Sequence, residues 1–164
     1  TKYPHGYKQG KVIYTIIDDA SRWAFVWSYS TANAINTEDF VRKVLKRAPF
    51  TIQKIRTDQG TEFLNEKLKN ILKNNNITHR KNTPYCPEEN GKIERFHGTL
   101  NQKALKYGFY PNESLDSIQY RLNLFMHYYN YTKKHRGLGM NVLTPMEKLN
   151  ELASVNLSLQ CHNP

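Results

Sequence analysis

Two runs of β-branched and aromatic residues, Val12 to Ile17 and Arg22 to Tyr29, flank the tetrapeptide Asp18-Asp19-Ala20-Ser21. The short acidic and hydroxyl side chains suit a tight turn, and the flanking residues suit a pleated surface, so the first third of the chain reads as strands. Trp23, Phe25, Trp27 and Tyr29 alternate with smaller residues, which predicts one heavily aromatic face. The period then changes from 2 to 3.6. Phe40, Val41, Val44 and Leu45 predict a helix beginning near Asn36 or Thr37, with Glu38 and Asp39 in its first turn. Ile52 to Thr57 predicts a short strand, the stripe Phe63, Leu64, Leu68, Ile71 and Leu72 a helix, and Ile77 to His79 another short strand. Pro84 to Gly91 is loop-like. Ile93, Phe96, Leu100 and Ala104 follow at helical spacing, then Leu115, Ile118, Leu122, Phe125 and Tyr129, with Ser114 as a cap. Thr144-Pro145-Met146-Glu147 has the form of a capping box with proline at the first helical position. Strands first, then mostly helices around an interposed βαβ, predict a mixed β-sheet flanked by helices.

At 164 residues the chain suits one domain, 1–164, that can bury most of its apolar surface. Its net charge of +10 favours a polyanionic partner, nucleic acid or an acidic membrane surface. The apolar share is modest at 38%, but 12% aromatic residues argue against disorder. No run approaches the roughly 20 apolar residues of a membrane span, and no signal-peptide core is present, so a soluble intracellular protein is expected. Cys86 and Cys161 are too few for a disulfide framework or a four-thiolate zinc site.

Asp58 and Glu94 carry the most chemical content. Asp58 stands where a short apolar strand meets the Gly60 turn, the usual place for functional groups in an open α/β sheet. Glu94 lies early in a helix beside the stripe Ile93, Phe96 and Leu100, with His97 on its own face at i+3. A carboxylate from a strand end and one from a facing helix can share Mg²⁺, which prefers oxygen ligands and keeps several waters. The plainer reading is a turn Asp and a dipole-favoured surface Glu.

Thr57-Asp58-Gln59-Gly60-Thr61-Glu62-Phe63 resembles the "TDxGxEF" signature of retroviral integrase cores and bacterial insertion-sequence transposases. Asn90-Gly91-Lys92-Ile93-Glu94-Arg95-Phe96-His97 resembles their "NGxxERFH" segment, and the 35 residues between Asp58 and Glu94 are typical of this DDE family. Ile17 to Arg22 is similar to its "IDDxSR" hairpin, and Tyr129-Asn130, His135 and Thr144-Pro145 to its "YN…H…TP" pattern. The resemblance implies an RNase H-like fold and metal-dependent polynucleotidyl transfer with Mg²⁺ or Mn²⁺, in which Asp58 and Glu94 are the second and third metal-binding carboxylates. It also implies DNA as partner (element ends and target duplex), self-association, no membrane, and a bacterial cytoplasmic setting at the nucleoid. The family's first carboxylate precedes a "TKY" like Thr1-Lys2-Tyr3, so the first strand is expected to be truncated here, with only its tail in Thr1 to Tyr7. Asp18 and Asp19 are expected to form the turn or pair with Arg22. Glu88 and Glu89 depart from the family's uncharged residues, and Gly98 from a frequent Arg.

Asn90, Lys92, Arg95 and His97 are the expected DNA contacts, Lys92 and Arg95 through charge-assisted bonds to phosphate. His97 as a packed residue is an equal reading. Arg42, Lys43, Lys46 and Arg47 read first as a solvated face, and Tyr128 to Tyr131 as core rather than as a base-stacking surface. The competing functions are a catalytically incomplete DNA-binding remnant of a transposase and an RNase H-like nuclease that cuts without joining.

Overall fold

The computed structural model describes residues 11–57, 65–81, 91–106 and 113–160. The expected strand tail in 1–7, the Phe63 and Leu64 part of the helical stripe, and the loop 84–90 lie outside these. Among the described residues the strands form two two-stranded sheets, β1 with β2 and β3 with β4. The chain divides into two compact units, Thr1–Tyr14 with Trp27–Gly91 and Thr15–Val26 with Lys92–Pro164.

Strand β1 spans Val12–Ile17, as read from sequence, and β2 spans Ala24–Tyr29. β2 starts two residues later than expected because Arg22 adopts φ 66°, a left-handed conformation that no strand residue holds. The Asp18 carboxylate builds the turn, accepting from the Ser21 backbone N–H and hydroxyl, both at 2.7 Å. The aromatic face is only half the story of β2. Ala24, Val26 and Ser28 on the other face are buried as well, so the strand is covered on both sides.

In the first unit, α1 runs Ala34–Arg47. It begins two to three residues before the expected start because Asn33 caps it, its side chain accepting from the Asn36 N–H at 2.8 Å. Glu38 and Asp39 therefore fall beyond the first turn and pair with Arg42 and Lys43 at i+4. The basic face is not merely solvated: Lys43 and Arg47 lie over the Trp27 ring at 4.9 and 5.0 Å from its centroid. β3 (Lys54–Thr57), α2 (Glu66–Asn74) and β4 (Thr78–Lys81) form a βαβ unit, with β3 and β4 parallel and Ile55 opposite His79. Val41, Ile55, Leu68, Ile71, Leu72 and Ile77 make one apolar cluster.

In the second unit, α3 (Gly91–Lys103) and α4 (Leu115–His127) bury the predicted stripes, Phe96 and Leu100 on one and Ile118, Leu122 and Phe125 on the other. Ser114 caps α4. The helix then widens into a π turn, Tyr128–Thr132, whose Tyr129 and Asn130 are buried while Tyr128 and Tyr131 are exposed. The tyrosine run is thus core at one position and surface at two. Phe96, Phe125, Tyr129 and His135 form a continuous ring cluster, the Phe96–Tyr129 and Tyr129–His135 pairs edge-on at 4.9 and 4.7 Å.

Helix α5 (Pro145–Gln160) opens with the capping box. The Thr144 N–H donates to Glu147 Oε2 at 2.7 Å, and the Glu147 N–H to Thr144 Oγ1 at 3.2 Å. Lys134 first, and the Thr144 amide second, hold the Glu147 carboxyl down to about 2. Thr144→Ala should cost about 1 kcal/mol. That is a fall of about 2–4 °C in the thermal midpoint, read by circular dichroism. An unchanged midpoint would show that the box contributes nothing.

Candidate active site

Ile93, Phe96 and Leu100 decide how α3 lies, and so where its polar residues point. Phe96 and Leu100 are fully buried, which leaves Glu94 and Arg95 exposed in the first turns. The Glu94 carboxylate forms no ion pair or hydrogen bond with any described residue, although Lys92 and Arg95 flank it and the chain carries a net +10. Asp58 and Asn90 lie outside the described residues. Among the described residues no group of three or more His, Cys, Asp or Glu is placed to hold a metal ion.

Lys92 is engaged. Its ammonium donates to Asp19 Oδ1 at 2.5 Å and to the Asp19 carbonyl at 3.1 Å. The Arg22 guanidinium, an expected partner of the hairpin acids, donates instead to the Leu138 carbonyl at 3.3 Å. His97 is half-buried and hydrogen-bonds Thr15 of β1, Nε2 to Oγ1 at 2.7 Å. Burial pushes the His97 pKa down to about 4, so the imidazole is neutral at ordinary pH. His97 is thus packed against β1. Asn130 closes the start of β2: its Nδ2 donates to the Ala24 carbonyl and its Oδ1 accepts the Ala24 N–H, each at 2.9 Å. Sequence reasoning flagged the "IDDxSR" and "YN…H…TP" segments separately. Nothing in local periodicity says that Ala24 and Asn130 meet.

His135 behaves as His97 does. Burial lowers its pKa to about 4, with help from the Lys133 charge and against the hydrogen bond that its ring donates to the Tyr129 carbonyl. Both histidines are protonated near pH 6.5 in the unfolded chain and stay neutral when folded. As pH falls below about 6.5 the unfolded state takes protons that the folded state refuses, so stability is present above that pH and lost down to about 4. The urea midpoint should drop between pH 7 and pH 5, and His97→Gln with His135→Gln should flatten that dependence. A midpoint equal at the two pH values would contradict it.

The fold has solved counterparts. The catalytic core domain of BIV integrase superposes with a TM-score of 0.71 over 90% of both chains at 20% identity. A chain of a simian T-cell lymphotropic virus intasome, solved in complex with PP2A regulatory subunit B56 gamma, gives 0.69 over 82% of this chain and 46% of that one, at 18% identity. The architecture is that of an integrase catalytic core, an RNase H-like α/β fold, as the sequence led us to expect.

Two family models, both described as integrase core domain, match residues 1–87 and 75–145. This chain belongs to the integrase core domain family. Its relatives include the protein named "Putative integrase ORF3" of Spiroplasma virus SpV1-C74, 31% identical over 87% of this chain, and a Pol polyprotein of equine infectious anemia virus (isolate 1369), 32% identical over 57% of it. The chain spans 43% of the first relative's length and 8% of the second's.

Proposed function

We propose that this chain is the catalytic core of a DNA transposase or integrase, cutting and joining DNA strands by metal-dependent polynucleotidyl transfer. The observation that carries the reading is Glu94: an exposed carboxylate, unpaired among the described residues, within a family segment and between two cations. An exposed carboxylate is ordinarily satisfied by water, and its two acceptor oxygens equally suit a divalent cation, which keeps several waters of its own. Asp58 and Glu94, both oxygen donors, fit Mg²⁺ or Mn²⁺ and would hold it. Bound there, the metal would supply Lewis-acid stabilisation of the charge developing on a phosphodiester. The protein's own residues do the rest. Arg95, and Lys92 when it leaves Asp19, meet backbone phosphates, with Asn90 beside them in the preceding segment. His97, through Thr15, holds the helix that carries Glu94. Two DNA ends call for self-association of the core, and the work is done at DNA in the cytoplasm. No helix among the described residues is long and apolar enough to cross a membrane.

The test is a strand-transfer assay with labelled duplex and Mg²⁺ or Mn²⁺, on this chain and on the same chain with an Asp-bearing strand added before Thr1. Joined product supports the reading. Cleavage without joining favours the nuclease, and binding without either favours the remnant.

A further inference from the structure

Asp18 and Asp19 are adjacent but do different work. Asp18 is consumed by the turn, its Oδ2 accepting twice from Ser21. Asp19 instead reaches across 73 residues of sequence to the first turn of α3, where its carboxylate and its backbone carbonyl both accept from Lys92. An ammonium has three N–H donors, so this one residue takes two of them. The placement of Lys92 explains why a partner is needed: a cation in the first turn opposes the helix dipole, and a nearby anion offsets that. A phosphodiester oxygen offers the same chemistry as the Asp19 carboxylate, a charge-assisted acceptor for N⁺–H. The pair is also replaceable. Asp19 keeps 77% of its side chain exposed and Lys92 34%, so neither ion is locked in by burial.

We propose that Asp19 is an intramolecular competitor for DNA phosphate at Lys92. It occupies the ammonium in the DNA-free protein and must be displaced before Lys92 engages the duplex. The inference rests on the reading of Lys92 as a phosphate contact. It makes the hairpin turn a determinant of affinity: a net charge of +10 favours any duplex through its phosphates, and Asp19 would weaken that background at the position two residues from Glu94.

The experiment is fluorescence anisotropy on a labelled duplex across roughly 50–200 mM KCl, where phosphate contacts are read from the salt slope. The proteins are the wild type, Asp19→Asn, Lys92→Ala and the double variant, with circular dichroism confirming the fold of each. Lys92→Ala should weaken binding and lower the magnitude of the slope by about one. Asp19→Asn should tighten binding about threefold, the scale of one exposed ion pair, and steepen the slope. In the Lys92→Ala background the same change should do nothing. Asp116→Asn, which removes an equal exposed charge from the first turn of α4, controls for net charge. Equal tightening by Asp19→Asn with and without Lys92 would overturn the competitor and leave only long-range electrostatics. An inert Lys92→Ala would remove the phosphate contact on which the inference rests, and a wild type that ignores duplex DNA would remove the proposed function with it.

Discussion

In the chain carrying an added Asp-bearing strand before Thr1, Glu94→Gln should abolish DNA cutting and joining, lowering the rate at least about a thousandfold while duplex affinity stays within about twofold. Gln keeps the size and the side-chain oxygen of Glu but loses the charge, so the exposed position on α3 remains filled and the burial of Phe96 and Leu100 is untouched. What is lost is a carboxylate that would hold a divalent cation, and Lewis-acid stabilisation of a reacting phosphodiester amounts to several kcal/mol. Each 1.36 kcal/mol is a factor of ten in rate, which gives the thousandfold figure. Affinity should change little because removing one acidic charge near a phosphate backbone helps binding slightly if it does anything. Mg²⁺-dependent product formation and anisotropy on the same duplex are the paired measurements. Full activity in Glu94→Gln would sink the metal-ligand role of this residue, and a collapse of both activity and affinity would point to a misfolded helix instead.

Where the sequence was readable, the signal was local chemistry. Ser114 before an apolar stripe and Thr144-Pro145-Met146-Glu147 are complete within four residues, and both cap as expected. The exposure of Glu94 was legible too, since Ile93, Phe96 and Leu100 at helical spacing leave it outside the buried stripe. Boundaries slipped where several residues could do the same job. Asn33, Asn36 and Thr37 are all competent caps, and Asn33 took the role because its side chain reaches the Asn36 N–H. Arg22 looked like a strand residue by position, but the turn needed a residue at positive φ there. The ties that organise the second unit were not legible at all. Asp19–Lys92, Thr15–His97 and Ala24–Asn130 join residues 73, 82 and 106 positions apart. Helical and strand periods report which face of an element is buried, never which distant side chain will meet it. Asp58 and Asn90 stand on the motif resemblance, whereas Glu94, Lys92, Arg95 and His97 have places in the fold.

Asn130→Leu should cost about 3 kcal/mol of stability, the largest single effect expected outside the ring cluster. Asn130 is 5% exposed and Ala24 1%, so the two hydrogen bonds between them have no ready substitute in solvent. Leucine preserves bulk and removes both partners at once, leaving the N–H and C=O of Ala24 buried and unmatched. Each such group costs about 1–3 kcal/mol, and the favourable transfer of the leucine side chain offsets part of the sum. For a chain of this length the midpoint should fall by roughly 10 °C. The loss should be felt in the hairpin as much as in the π turn, because Ala24 begins β2 while Asn130 sits in Tyr128–Thr132. Amide hydrogen exchange separates a local loss from a global one: the Val26 N–H, which contacts Met126 Sδ at 3.2 Å, should exchange faster in the variant under conditions where the chain as a whole stays folded. A loss below about 1 kcal/mol would mean that water reaches Ala24 and that Asn130 is a filler of space. A loss near the expected size makes the asparagine of "YN…H…TP" the strut of the same hairpin whose Thr15 and Asp19 hold the helix bearing Glu94.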